Sequence, residues 1–332
     1  TMENTAALKI PTGANSTENS KDKYRLNDFK IKNAVPFGIQ RKIVSYMTTH
    51  SWQNVPHVTY VYEPDVTDFF EEFKRLNDSG LHSRKITFNT LMLKVFTEGI
   101  KADPAINAHI DYNHKYVKGE IKTIEDINIS MPWILPNGEM MTINLRNFES
   151  KSLDQMAEYI ENISKKIENT DLNEAMYEVS FANTIDMLKK GHVVQTLRKL
   201  AGAKLGRHKI KTLSGEEKKE YKNIPEDERI TKYDLEPGTI TISNIGSVYK
   251  EQRGMIGILE IIPPQVFAIG VGGVQDKPGI FKNSKGKQEI GVRKMLPICL
   301  AFDHRALDFG EVVPFMKRLD DIFANPAQIH NW

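Results

Sequence analysis

The stretch Phe302-Asp303-His304-Arg305-Ala306-Leu307-Asp308-Phe309-Gly310 sets a histidine and an aspartate four residues apart. A neutral imidazole takes a proton near neutral pH, and a loop held by rigid elements is a common place for such a group. The flanking sequence supplies those elements. Met295 to Phe302 reads as a buried strand, and Val312, Val313, Met316, Leu319, Ile322 and Phe323 recur downstream at helical spacing. His304 is therefore the candidate general base, at the handover from strand to helix. The plain alternative is that the spacing arises by chance and that Asp308 only caps the following helix.

Composition limits what else the chain can be. Its 332 residues, 40% hydrophobic and 27% charged, suffice for one large domain or two small ones. With 45 basic and 43 acidic side chains, the net charge of +2 gives no argument for nucleic acid as the main partner. The single cysteine, Cys299, rules out a disulfide framework and a cysteine zinc site, and fits a reducing, cytoplasmic compartment. The remaining histidines lack metal-ligand spacing, so no metal centre is expected. No window reaches the roughly 18 apolar residues of a membrane span, and no secretory signal pattern opens the chain.

Residues 11–23 are small, polar and aperiodic, so 1–25 is expected to be a flexible tail with structure beginning near Leu26. A helix carrying Arg41 follows Pro36, then a strand at Val58–Tyr62, a helix from Val66 to about Asn77, and another after Thr87 that stops at Asp103-Pro104. Short strands are expected at Ala108–Tyr112, Lys115–Val117 and Ile127–Met131, with a turn at Pro136-Asn-Gly138. Leu153, Met156, Ile160, Ile163 and Ile167 mark a further amphipathic helix. Residues from about 169 to 237 form a charge-rich excursion, with an apolar stripe through Phe181, Ile185, Leu188, Val194 and Leu197 and a basic run from Lys189 to Lys211. A solvated charged face and an electrostatic binding site are both compatible with that run. Strand character returns at Thr239–Gly246 and Gln265–Gly273. The glycines of the second strand precede Gln275-Asp-Lys-Pro-Gly279 instead of a helix, which favours a hairpin over a nucleotide loop. This irregular alternation points to a mixed-sheet α/β sandwich over a doubly wound fold.

Gly238-Thr-Ile-Thr-Ile-Ser-Asn-Ile-Gly246, Ile262-Pro-Pro-Gln265 and Asp303-His-Arg-Ala-Leu-Asp308 together resemble the catalytic domain of the dihydrolipoamide acyltransferases of 2-oxo acid dehydrogenase complexes. Arg41–Met47, Val55–Tyr62, Ile86 to Ala108 and the helix after Gly138 extend the resemblance from about Pro36 to Asn325. It implies a chloramphenicol acetyltransferase-like fold, a two-layer mixed-sheet sandwich with a helical insertion, so that 26–332 forms one catalytic domain. It further implies transfer of an acyl group between coenzyme A and a dihydrolipoyl thiol supplied by another chain or domain, without a metal. The matching positions give His304 as base, Ser243 as the hydroxyl that stabilises the oxyanion, and Asp308 with Arg41 as a buried ion pair shaping the loop. The implied assembly is a homotrimer or a larger shell, partnered by a lipoyl-bearing protein or other dehydrogenase components.

Three departures qualify these expectations. Phe309 stands between Asp308 and Gly310, where the family has glycine directly after the aspartate. The excursion replaces a short connection, and the end Asn325–Trp332 lacks the family's leucine-rich docking tail, which favours a trimer over a shell. The chain also has no room for lipoyl and subunit-binding domains, which suggests a stand-alone chain; a piece of a longer protein is the alternative. Two rival functions stay open: an enzyme of the chloramphenicol acetyltransferase type that acylates a small alcohol or amine, and a non-catalytic core scaffold.

Overall fold

The computed structural model describes residues 32–135, 140–179 and 213–332. The expected tail, the Pro136–Gly138 turn, and the apolar stripe and basic run of the excursion lie outside these residues. The chain divides into two units, Thr1–Pro36 and Phe37–Trp332; residues 32–36 of the first carry no helix or strand. Every helix and strand among the described residues belongs to the second unit.

The elements of that unit run α1 (Ile39–Asn54), β1 (His57–Tyr62), α2 (Thr67–Asp78), α3 (Phe88–Ala102), β2 (Ala108–Asn113), β3 (Lys118–Thr123), β4 (Ile129–Ile134), β5 (Met140–Leu145), α4 (Leu153–Glu168), β6 (Ile240–Asn244), β7 (Phe267–Val271), β8 (Gln275–Lys282), β9 (Gln288–Met295), β10 (Ile298–Asp303) and α5 (Phe309–Ala324). Of the excursion, residues 172–179, Gly215–Asn223 and Lys232–Leu235 are helical. A six-stranded sheet in the order β1-β10-β7-β6-β4-β5 forms the centre, and β2-β3 and β8-β9 are separate hairpins. The β4–β6 and β6–β7 pairs are parallel and the other pairs of the sheet antiparallel, which is the mixed α/β sheet expected from the sequence.

Strand alternation sends one set of side chains to the helices and the other to the opposite face. Ile240, Ile242, Phe267, Ile269, Leu300 and Phe302 join α3, α4 and α5 in the main core. Burying each such side chain contributes on the order of 1.5–3 kcal/mol. The helices approach closely because Gly99 of α3 has no side chain: a Cβ there would stand 2.6 Å from both Leu319 and Phe315 of α5. On the opposite face the sheet carries the small residues Ala268, Gly270, Cys299 and Ala301. The irregular segment 252–262 lies over this strip through Ile256, Leu259 and Ile261. Cys299 is 1% exposed there, and burial pushes its thiol pKa up.

Two expected strands are corrected. Lys115–Val117 forms the turn of the β2-β3 hairpin, where Asn113 Oδ1 accepts the Lys115 and Tyr116 amides and Val117 takes φ 51°. The strand begins instead at Lys118, whose polar run shows no apolar alternation. Met295–Phe302 is not one strand either. Leu296-Pro297 separates β9 from β10, and proline, lacking an N–H, cannot donate to a continuing ladder.

Candidate active site

His304 occupies the turn between β10 and α5. Hydrogen bonds close this turn on all sides. The Asp303 amide donates to the Val266 carbonyl (2.9 Å), the His304 amide to the Pro56 carbonyl (3.0 Å), and the Asp303 carbonyl accepts from Ala306 (2.9 Å) and Leu307 (3.0 Å). The imidazole Nδ1 lies 3.2 Å from the Leu307 carbonyl oxygen. Because a carbonyl only accepts, this contact assigns the proton to Nδ1 and leaves a lone pair on Nε2. Asp308 Oδ1 is also 3.2 Å from Nδ1, and the two side chains are 52% and 81% exposed. At that exposure the pair contributes at most about 1 kcal/mol.

Asp308 is the residue preceding α5, and its amide donates to the Glu311 carboxylate at 2.7 Å. Its position is thus that of the helix cap offered as the plain alternative. The expected buried ion pair with Arg41 is not formed within this chain: both residues are exposed, Arg41 at the start of α1, and among the described residues no contact joins them. Phe309 begins α5 and meets Tyr60 of β1 edge-on, ring centroids 5.1 Å apart.

Ser243 sits on β6, half-buried, and its hydroxyl makes no hydrogen bond among the described residues. It opens onto a cavity of about 340 Å³ whose lining includes Met131, Trp133, Ile134, Met140, Ile160 and Val248, with Asn89, Asn244 and Ser247 as the other polar side chains of the wall. Asn244 at the strand end donates to Asn89 Oδ1 at 2.8 Å, tying β6 to the start of α3. An apolar cavity beside a free hydroxyl suits an acyl or thioester group.

Register separates these two residues. Ser243 is paired with Gly270 and Gly270 with Cys299, so Ser243 stands level with Cys299, while His304 follows the far end of β10. Two strand spacings sideways (about 10 Å) and five residues along (about 16 Å) put them on the order of 20 Å apart. Direct proton transfer requires hydrogen-bond reach or one bridging water. Within one chain, then, His304 and Asp308 come together and Ser243 does not join them.

Sequence reasoning passed over the pair that flanks the histidine. Asp303 is fully buried, and its carboxylate accepts the Arg305 amide (2.9 Å), Nε (3.0 Å) and Nη2 (2.6 Å). An acid closing an otherwise apolar strand was the available signal. The neighbouring His57 was passed over as well. Its Nε2 accepts the Ile261 amide at 3.0 Å and its Nδ1 donates to Val55 at 2.7 Å, which fastens segment 252–262 beside the turn.

The family model described as 2-oxoacid dehydrogenases acyltransferase (catalytic domain) matches residues 30–182 and 204–331. The lipoamide acyltransferase component of the branched-chain alpha-keto acid dehydrogenase complex of Pseudomonas aeruginosa is 22% identical over 89% of this chain and 53% of its own length. The dihydrolipoyllysine-residue acetyltransferase component of the pyruvate dehydrogenase complex of Mycobacterium bovis is 32% identical over 26% of this chain and 15% of its own. The chain thus spans about half the length of the Pseudomonas relative. Among solved structures, the cubic core of a pyruvate dehydrogenase multienzyme complex superposes with a TM-score of 0.57 at 20% identity, covering 96% of this chain and 99% of that one. A probable dihydrolipoamide acetyltransferase from Listeria monocytogenes also gives 0.57, at 19% identity over 88% and 94%. At such identities the superpositions show the fold.

Proposed function

The chain belongs to the 2-oxoacid dehydrogenase acyltransferase (catalytic domain) family, and from that premise we propose that it moves an acyl group between coenzyme A and a dihydrolipoyl thiol carried by another chain or domain. His304 Nε2 takes the proton of the attacking thiol, and the thiolate adds to the carbonyl carbon of the acyl thioester. The resulting oxyanion accepts a hydrogen bond from Ser243. As the intermediate collapses, the carbon–sulfur bond of the original thioester breaks, and the departing thiolate recovers the proton from the imidazolium.

The observation that carries this reading is the Nδ1 contact with the Leu307 carbonyl, since it holds the lone pair on Nε2 before any substrate arrives. Ser243, too far away in its own chain, serves the His304 of a neighbouring copy. The smallest active unit is accordingly a homotrimer, able to build a larger assembly. Asp308 steadies the imidazolium as it forms. The 26–332 segment acts as one catalytic domain, with the 169–237 excursion as an insertion outside the chemistry.

The test is acyl transfer from acyl-coenzyme A to dihydrolipoamide. His304→Ala should lose about 100-fold or more in rate while melting like the parent, because the side chain is half-exposed and leaves no cavity. Retention of the parent rate would remove His304 as base. Transfer to small alcohols or amines in preference to the dithiol would replace the proposed acceptor.

A further inference from the structure

We propose that Asp303 and Arg305, rather than Asp308 and Arg41, are the positioning residues of the catalytic histidine within each chain; the inference rests on His304 acting as base. Asp303 is the last residue of β10 and is 0% exposed, at a place where an unpaired carboxylate would be strongly disfavoured. Arg305 grips both of its oxygens: Nε at 3.0 Å from Oδ1 and 3.2 Å from Oδ2, and Nη2 at 2.6 Å from Oδ2. The same carboxylate accepts the Arg305 amide at 2.9 Å. Such a planar, two-pronged grip fixes both ends of the residue pair that brackets His304. The guanidinium carbon lies 5.3 Å from the ring centroid of Tyr112 on β2, so the clamp is braced from a second element.

The consequence reaches the imidazole through the backbone. With Asp303 held, its carbonyl draws the amides of Ala306 and Leu307 into the turn, and that turn aims the Leu307 carbonyl at Nδ1. Without the clamp the turn can open, the Leu307 carbonyl swings away, and the imidazole loses its bias toward the tautomer with a free Nε2. Asp308 Oδ1, also 3.2 Å from Nδ1, is a weaker restraint, because its side chain is 81% exposed.

Arg305→Ala, Arg305→Lys and the charge-neutral pair Asp303→Asn with Arg305→Gln test this in the full chain, using acyl-coenzyme A and dihydrolipoamide. The readouts are kcat, KM for acyl-coenzyme A, and the ¹⁵N resonances of the His304 ring, which distinguish Nδ1-protonated from Nε2-protonated imidazole. Arg305→Ala and the neutral pair should lower kcat by about 10-fold or more with KM within about twofold, since a base displaced by about 1 Å loses rate without losing substrate contacts. Both should also lose the Nδ1-protonated signature. Lysine keeps the charge but not the fork, and should recover part of kcat. The neutral pair covers the case in which Arg305→Ala leaves a buried charge and fails to fold. Parent kcat and parent ring resonances in folded variants, even with a lowered melting temperature, would reduce the pair to a structural brace and overturn the inference. Failure of the proposed chemistry itself would show separately, as an active His304→Ala.

Discussion

A single side chain can be poised by what its neighbours cannot donate. The Leu307 carbonyl sets the proton of His304, and burial acts on a second imidazole, that of His109. Burial holds the His109 pKa below the ordinary value of 6.5, against the smaller opposing pull of backbone acceptors at Gly238 and Thr239. A depressed imidazole pKa means that the unfolded chain binds more protons, so this residue's contribution is present at neutral pH and is lost as pH falls through about 6.5 toward the folded value. Denaturant melts from pH 7.5 to 5 should show this acid loss of stability, and His109→Gln should flatten it; an unchanged slope would remove His109 as its source. At this scale the sequence disclosed much of what matters. The types and spacing of His304 and Asp308 were readable, and Ser243 entered through resemblance. The Asp303–Arg305 clamp was not readable, because residues two apart touch only when a turn folds them together, and no local pattern announces which turn forms.

Helices and strands were legible where burial is one-sided. The apolar spacings of α3, α4 and α5 follow the face that packs on the sheet, and the structure has those helices within a residue or two of expectation. β3 escaped because every residue in it is exposed, so nothing imposes alternation on its sequence. The Leu296-Pro297 break escaped because burial continues across it and hides the change of strand. The α3–α5 contact offers the sharpest test at this scale. In an exposed helix, Gly99→Ala would gain about 1 kcal/mol of helix propensity. Here the new methyl meets Phe315 and Leu319, both fully buried and unable to swing aside. The variant should instead lose about 1–3 kcal/mol overall. Chemical denaturation measures the sign directly, and a stabilised Gly99→Ala would mean that the two helices can separate.

For the molecule as a whole, the proposed chemistry joins two residues that one chain holds apart, His304 and Ser243, and so requires an active site shared between copies. Two inactive variants should therefore rescue each other. Preparations of His304→Ala and Ser243→Ala, dissociated, mixed in equal amounts and reassembled, should regain about a quarter of parental activity, because one interface in four then pairs an intact histidine with an intact serine. No recovery in reassembled trimers would place both groups in one chain's site. The lone cysteine bears on how a single chain opens. Cys299 lies in β10, between β7 and β1 and beneath segment 252–262, with its thiol pKa raised. A colourless reagent that fluoresces on reaction with thiols would find nothing to label until the central sheet parts, so the chain carries a built-in clock for its own opening. The same silence leaves a clean background against which each newly liberated coenzyme A sulfhydryl can be counted.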